Sequence, residues 1–185
     1  MFSAHHKLSV YLNFNFSIMK SAQQIIDRLN LEPHPEGGYF KETYRSADMV
    51  REDCLSSNYS GSRNFSTSIY FLLTPDIFSA FHRINQDEAW HFYDGSPIDL
   101  HCISPEGIHE QIIIGKDIGN GQVPQYVVPG GYWFASRVLN NEGWALCGCT
   151  VSPGFDFADF ELAKRSGLTE QFPQHKAIIT ELTRI

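Results

Sequence analysis

From residue 65 to residue 152 the chain alternates apolar and polar side chains over short runs, and clusters of Gly, Pro, Asn or Asp separate the runs. A period of two places successive side chains on opposite faces of an extended backbone, so each run predicts a half-buried strand. The expected strands are 65–73, 78–84, 89–93, 98–104, 109–114, 125–128, 132–138 and 144–152. Turn chemistry lies between them at Asp94-Gly95, Pro105-Glu106-Gly107, Gly119-Asn120-Gly121 and Pro129-Gly130-Gly131. Short strands at near-regular spacing, with no helical period between them, indicate an all-β sandwich or barrel rather than a parallel sheet.

The flanks read differently. Residues 21–31 predict a short helix, capped by Ser21 and carrying Ile25, Ile26 and Leu29 on one stripe. Pro33 and Pro35 stop it, Gly37-Gly38 permits a tight approach to the next segment, and 40–45 alternates as a strand. Residues 46–63 are polar and aperiodic, a surface loop. A helix is expected at 160–166 with Gly167 as its stop, and a second at 174–182. The first 20 residues carry an apolar patch broken by Asn13 and Asn15, without a clean signal-peptide core. Met19 offers an alternative start, so 1–20 is expected to be a disordered extension and 21–185 a single domain in the cytoplasm.

Composition narrows the function classes. Aromatic residues make up 14% of the 185, which suits a β-rich core. A net charge of −7 argues against nucleic acid or an anionic membrane as partner, because both need clustered Lys and Arg. No apolar stretch reaches the ~20 residues that span a bilayer. Cys54, Cys102, Cys147 and Cys149 lack the two-residue spacing of zinc or redox motifs and read as free thiols. The expected partner is a small polar metabolite.

The chemistry concentrates between His82 and Gly95. His82, Glu88 six residues on, and Gly95 seven beyond that match the spacing of the first motif of the cupin superfamily, whose histidines and glutamate bind a metal in a small β-barrel. Here the second histidine position is Ile84, and the ligand position after the Pro129-Gly130-Gly131 turn falls on Phe134. Transition-metal sites ordinarily take three or more protein ligands. No cofactor is therefore expected, and a divalent metal, if held at all, would fall to His82 and Glu88.

A narrower resemblance rests on His34-Pro35-Glu36-Gly37-Gly38-Tyr39-Phe40, the central Phe81-His82-Arg83, Asp87-Glu88, Trp90-His91, and the closing Val151-Ser152-Pro153-Gly154-Phe155 with Asp159-Phe160-Glu161. Across roughly residues 22–165 the chain resembles the cupin-5 family, the DUF985 or YML079w-like group. The resemblance implies a double-stranded β-helix, the cupin jelly-roll barrel, with short N- and C-terminal helices. It also implies a homodimer and a pocket in the barrel mouth, and leaves the reaction open.

His82, Glu88 and His91 are the candidate catalytic residues, although strict alternation sends His91 to the face opposite Glu88 unless a bulge intervenes. Glu36, Tyr93, Trp90 and Trp133 are candidate ligand-binding residues, with His34 in the same loop as Glu36. Arg45, Arg63 and Arg83 are further candidates for clamping an anion. Three functions fit. One is a metal-free isomerase or epimerase with His82 as base or acid and Glu88 as partner, by fold-level analogy with metal-free sugar epimerases. The others are a metal-dependent cupin using His82 and Glu88, and a non-catalytic module that binds a sugar or other metabolite.

Overall fold

The computed structural model describes residues 21–184; the expected extension at 1–20 lies outside the described residues. Helix α1 (Ala22–Leu29) is capped where the sequence places the cap: Ser21 Oγ accepts from Gln24 N at 3.3 Å, and Asn30 closes it in the left-handed region at φ 52°. Strands β1 (Glu32–Pro33), β2 (Tyr39–Arg45), β3 (Met49–Val50), β4 (Arg63–Asn64), β5 (Thr67–Leu73), β6 (Ser79–Arg83) and β7 (Asp87–Gly95) come next. After them lie β8 (Ile98–Ile103), β9 (His109–Ile114), β10 (Gln125–Val128), β11 (Trp133–Val138), β12 (Ala145–Ser152) and β13 (Glu161–Leu162). The chain closes with α2 (Arg165–Gln171) and α3 (Lys176–Glu181).

The strands form two facing antiparallel sheets, β1-β2-β5-β12-β7-β10 and β13-β6-β11-β8-β9, while β3 and β4 pair as a separate ribbon. From β5 to β8 consecutive strands alternate between sheets, which is the jelly-roll arrangement the alternating pattern predicts. Inward residues meet between the sheets: Phe71, Trp90, Leu100, Phe134 and Cys147 belong to one buried cluster. Outside the five-stranded sheet, Phe81, Ile103 and Trp133 pack under Leu168, Phe172 and Ile179 of the C-terminal helical segment. Outside the six-stranded sheet, Ile25 of α1 covers Leu72.

Three local expectations need correction. Residues 46–63 are not wholly loop, since Met49 and Val50 pair with Asn64 and Arg63. The first C-terminal helix runs Arg165–Gln171, so Gly167 lies inside it and does not stop it. Gly167 faces open space, and burial of Leu168 and Phe172 outweighs the ~1 kcal/mol that a helical glycine costs. Finally, β7 begins at Asp87 and ends at Gly95, two residues beyond each end of the strand expected at 89–93.

Candidate functional site

The two sheets do not close completely at one end. A cavity of about 240 Å³ remains, near the lower end of small-molecule pockets. Buried Glu36, His82 and Glu88 line its floor, and exposed Glu42, Asp156 and Phe157 line its mouth. Glu88 comes from β7 in the six-stranded sheet and His82 from β6 in the facing sheet, so the spacing of the hairpin delivers one group to each wall.

Glu36 and His34 arrive from the turn before β2. His34 N donates to Gly38 O at 3.0 Å and Gly37 N donates to His34 O at 3.0 Å. Gly37 has φ 115°, and a Cβ there would stand 2.1 Å from Phe78 O. The glycines therefore bring this turn against the protein's own backbone, not against a ligand. Ala80 N and Arg184 Nη2 both donate to Glu36 O, at 2.9 and 2.8 Å, which fixes the turn to β6 and to the C-terminus.

The side chains form one connected network. Glu36 Oε2 lies 3.2 Å from His34 Nδ1 and 3.1 Å from His82 Nε2, and Glu36 Oε1 accepts from Ser79 Oγ at 2.8 Å. His82 Nδ1 donates to Ala80 O at 2.8 Å. That bond fixes one proton on Nδ1, so the contact of Nε2 with a carboxyl oxygen needs a second proton between them. Burial works to raise Glu36, but the His82 charge and hydrogen bonds from His34 and Ser79 hold its carboxyl below the ordinary range. Burial pushes His82 down, against the pull of Glu36 and the Ala80 carbonyl. Geometry is what asks for a proton between them: with Nδ1 spent on the Ala80 carbonyl, the 3.1 Å contact is a hydrogen bond only when Nε2 or the carboxyl carries one.

His34 is the third member. Its Nδ1 lies 3.2 Å from the carboxylate oxygen, and the Glu36 backbone N–H also points at it from a longer 3.4 Å; the shorter, charged contact decides the tautomer and places the proton on Nδ1. Nε2 is then the unprotonated nitrogen, and it has no hydrogen-bond partner among the described residues. Phe40, Phe157 and Phe160 hold the ring, with centroids 4.7, 5.9 and 6.0 Å away. A carboxylate that orients an imidazole through Nδ1 leaves Nε2 as the basic atom.

On the other wall Glu88 pairs with no Lys, Arg or His among the described residues. Burial, reinforced by the charge of Glu36, pushes its carboxyl up to about 8, with Cys149 and Trp90 pulling weakly the other way. The Trp90 indole N–H itself reaches no well-formed hydrogen bond. At neutral pH Glu88 is a carboxylic acid facing a cavity, able to donate a proton.

The sequence candidates therefore separate. His82, Glu88 and Glu36 come together at the cavity. His91 does not: it sits on the outer face of β7, with Nε2 3.2 Å from Thr150 Oγ1, as alternation requires. A bulge exists, but at Tyr93, beyond His91, and leaves His91 where it was. Tyr93 is 51% exposed and lies over Gly148 outside the barrel, so it is not a cavity residue. Trp90 points inward but is core, packed on Phe71 and Phe134 behind the cavity. Trp133 faces the C-terminal helical segment under the Arg83 guanidinium, on the far side of its sheet.

The arginines are occupied. Arg63 makes a buried bidentate pair with Asp159, Arg83 pairs with Glu161, and Arg45 pairs with Glu42. Sequence reasoning misses Cys149, Phe155, Phe157 and Phe160 as cavity residues and underrates His34. The aromatic spacing after Gly154 is the available signal.

A resident metal does not fit the donors. Ile84 lines the cavity where a second histidine would stand, and Phe134 lies against the His82 ring with centroids 4.0 Å apart. Both His82 nitrogens are already bonded within the protein. Among the described residues no group of three His, Cys, Asp or Glu has metal-binding geometry.

Comparison with known proteins agrees with this architecture. The uncharacterized protein YML079W of Saccharomyces cerevisiae is 39% identical over 153 residues, 78% of this chain and 76% of that protein. A hypothetical protein from Leishmania major superposes with a TM-score of 0.81 at 38% identity, covering 89% of this chain and 99% of that one. Protein SO0799 from Shewanella oneidensis also gives 0.81, at 40% identity, covering 90% and 99%. CapF, at a TM-score of 0.51 and 14% identity over 72% of this chain and 33% of that one, shares the fold alone. Among the described residues no helix is long and apolar enough to cross a membrane. The family model of the Cupin superfamily (DUF985), Cupin_5, matches residues 23–163, and the chain belongs to that family.

Proposed function

We propose that the protein is a proton-transfer enzyme of isomerase or epimerase type, acting on a small polar carbonyl compound without a metal. The observation that carries this reading is the His34–Glu36–His82 network on one wall of a cavity whose other wall presents the buried acid Glu88. His34 Nε2 takes the proton from a carbon beside the substrate carbonyl, breaking C–H and forming N–H. The electron pair moves to the carbonyl oxygen, which Glu88 protonates or hydrogen-bonds. Return of the proton to the former carbonyl carbon, with the neighbouring hydroxyl giving up its proton to form the new carbonyl, completes an isomerisation; its return to the other face of the same carbon, with the enol oxygen giving its proton back to Glu88, completes an epimerisation.

Glu36 holds His34 in the reactive tautomer and stabilises the imidazolium, and His82 and Ser79 position Glu36. His82 is thus a positioning residue rather than the base, because both its nitrogens are committed. A cavity of about 240 Å³ is small for a ligand site, which favours a small metabolite over a nucleotide sugar. The homodimer implied by the family belongs to the same proposal and is read by light scattering.

The test is deuterium uptake from D2O at the carbon beside the carbonyl, monitored by NMR across small unphosphorylated sugars, hydroxyketones and aminoketones. His34→Gln and Glu88→Gln are each expected to slow uptake by about 10²-fold or more. A compound that binds in the cavity without any uptake would make the chain a binding module and overturn the catalytic reading.

A further inference from the structure

The charge around the cavity is one-sided. Glu36, Glu42, Glu88 and Asp156 line it, and among the described residues Arg45 is the one Lys or Arg in the lining. Arg45 is not available to a ligand anion. Its Nε and Nη2 bond the two Glu42 oxygens at 3.0 and 2.7 Å, and its Nη1 bonds Asn64 Oδ1 at 2.8 Å and Phe155 O at 3.1 Å. Four of the five guanidinium N–H groups are spent inside the protein. An anion entering the cavity would meet the Glu42 and Asp156 carboxylates at the mouth and no free Lys or Arg, the protonated Glu88 at the floor being a neutral donor.

The mouth has the opposite preference. Phe155, Phe157 and Phe160 pack edge to face with centroids 5.0 to 6.3 Å apart, and all three line the cavity. Beside them, one Asp156 oxygen caps Ala158 N at 2.8 Å, and among the described residues the other accepts no hydrogen bond. At the floor, Glu88 is buried, with Cys149 and Trp90 beside its carboxyl. The exposed Phe157 ring beside the Asp156 carboxylate forms an environment for a weakly hydrated cation.

We propose that the cavity takes a compact organic cation, an amine or methylated ammonium centre seated between the three phenylalanine rings and Asp156, with its neutral polar end reaching Glu36 and Glu88. Carboxylate and phosphate esters are excluded. The inference rests on the proton-transfer reading only for the reaction: an ammonium group near a carbonyl acidifies the C–H between them, the bond that His34 would break.

Binding is tested on the full chain by calorimetry with choline, its neutral carbon isostere 3,3-dimethylbutanol, inorganic phosphate and acetate, at constant ionic strength. Choline is expected to bind about tenfold more tightly than the isostere, the scale of one desolvated cation–π contact, and the anions not to bind. Asp156→Asn keeps the Ala158 cap and is expected to reduce that ratio several-fold with an unchanged circular dichroism spectrum. Equal binding of the isostere, tighter binding of either anion, or no binding of choline overturns the proposal. Glu88→Gln separates the two readings, since it is expected to keep the choline preference while losing deuterium uptake. A protein that discriminates choline but never catalyses uptake would sink the reaction and leave the cation site standing.

Discussion

Glu88→Gln is expected to stabilise the protein at neutral pH while removing its activity. The carboxyl of Glu88 titrates near about 8 in the folded chain and near 4.5 when unfolded. Between those values the folded state retains a proton that the unfolded state has released. Stability therefore falls as pH rises, by about 1.36 kcal/mol per unit. At pH 7 the accumulated penalty is about 3 kcal/mol, and above pH 8, where both states are ionised, it levels off near ~5 kcal/mol. Glutamine has the shape of the protonated acid and no charge to lose, so the variant escapes this slope. Urea unfolding monitored by tryptophan fluorescence at pH 5, 6, 7, 8 and 9 reads the difference between variant and parent directly. The difference should be small at pH 5, grow through pH 8 and then flatten. A difference that is constant with pH would refute an acid raised by burial, whatever its sign.

Three other perturbations address other parts of the molecule. Arg63→Ala strands Asp159, with side-chain exposures of 3% and 1%, and leaves Gln86 and Asn85 as its remaining side-chain partners among the described residues. The expected loss is roughly 3–5 kcal/mol in urea unfolding, and a loss under about 1 kcal/mol would mean the pair is well hydrated. Gly37→Ala drives a Cβ into Phe78 O and is expected to lower both Tm and deuterium uptake, whereas unchanged uptake would detach the turn from the site. On the far side of the five-stranded sheet, His101 Nδ1 and His109 Nε2 are 3.1 Å apart and His175 lies beyond them. Burial, with His101 and His175 nearby, pushes His109 down, so the unfolded state binds the proton first and stability drops as pH falls below about 6.5. His109→Gln is expected to flatten that drop in thermal melts between pH 5 and 7.

Some of this is legible in the sequence because strand parity is a local property. Alternation along β7 alone decides that Glu88 and Trp90 face the barrel and His91 does not, and the structure agrees. It does not decide which inward side chain reaches the cavity and which is sealed in the core, so Trp90 reads as well as a ligand contact as Glu88 does. Pairing information is missing altogether. Cys149 joins the cavity because β12 lies between β5 and β7, and Phe155, Phe157 and Phe160 join it because the chain after β12 returns across the mouth. Arg63 with Asp159, 96 residues apart, and Arg45 with Phe155, 110 apart, hold that return in place, and no local pattern encodes either pair. His34 is undervalued for a related reason: its tautomer depends on Glu36, and the environment of Glu36 depends on Ser79 and His82 in β6.

The two hydrophobic residues at metal-ligand positions explain why the remaining polar groups organise as they do. With Ile84 in the cavity wall and the Phe134 ring against His82, His82 and Glu88 lack the further donors that would let a cation hold both in ligating form. His82 then satisfies itself within the protein, through Ala80 O on one nitrogen and Glu36 on the other. Glu88, left without a counter-charge, takes up a proton instead. Restoring a histidine at position 134 alone would not rebuild a metal centre, because His82 Nδ1 is bonded to the backbone of its own strand and Nε2 to a carboxylate in the turn before β2. The same substitution would remove the ring that holds His82 against Glu36. Phe134→His is therefore expected to weaken the Glu36 network, and with it deuterium uptake, while stoichiometric zinc retained after dialysis would contradict this account of the site.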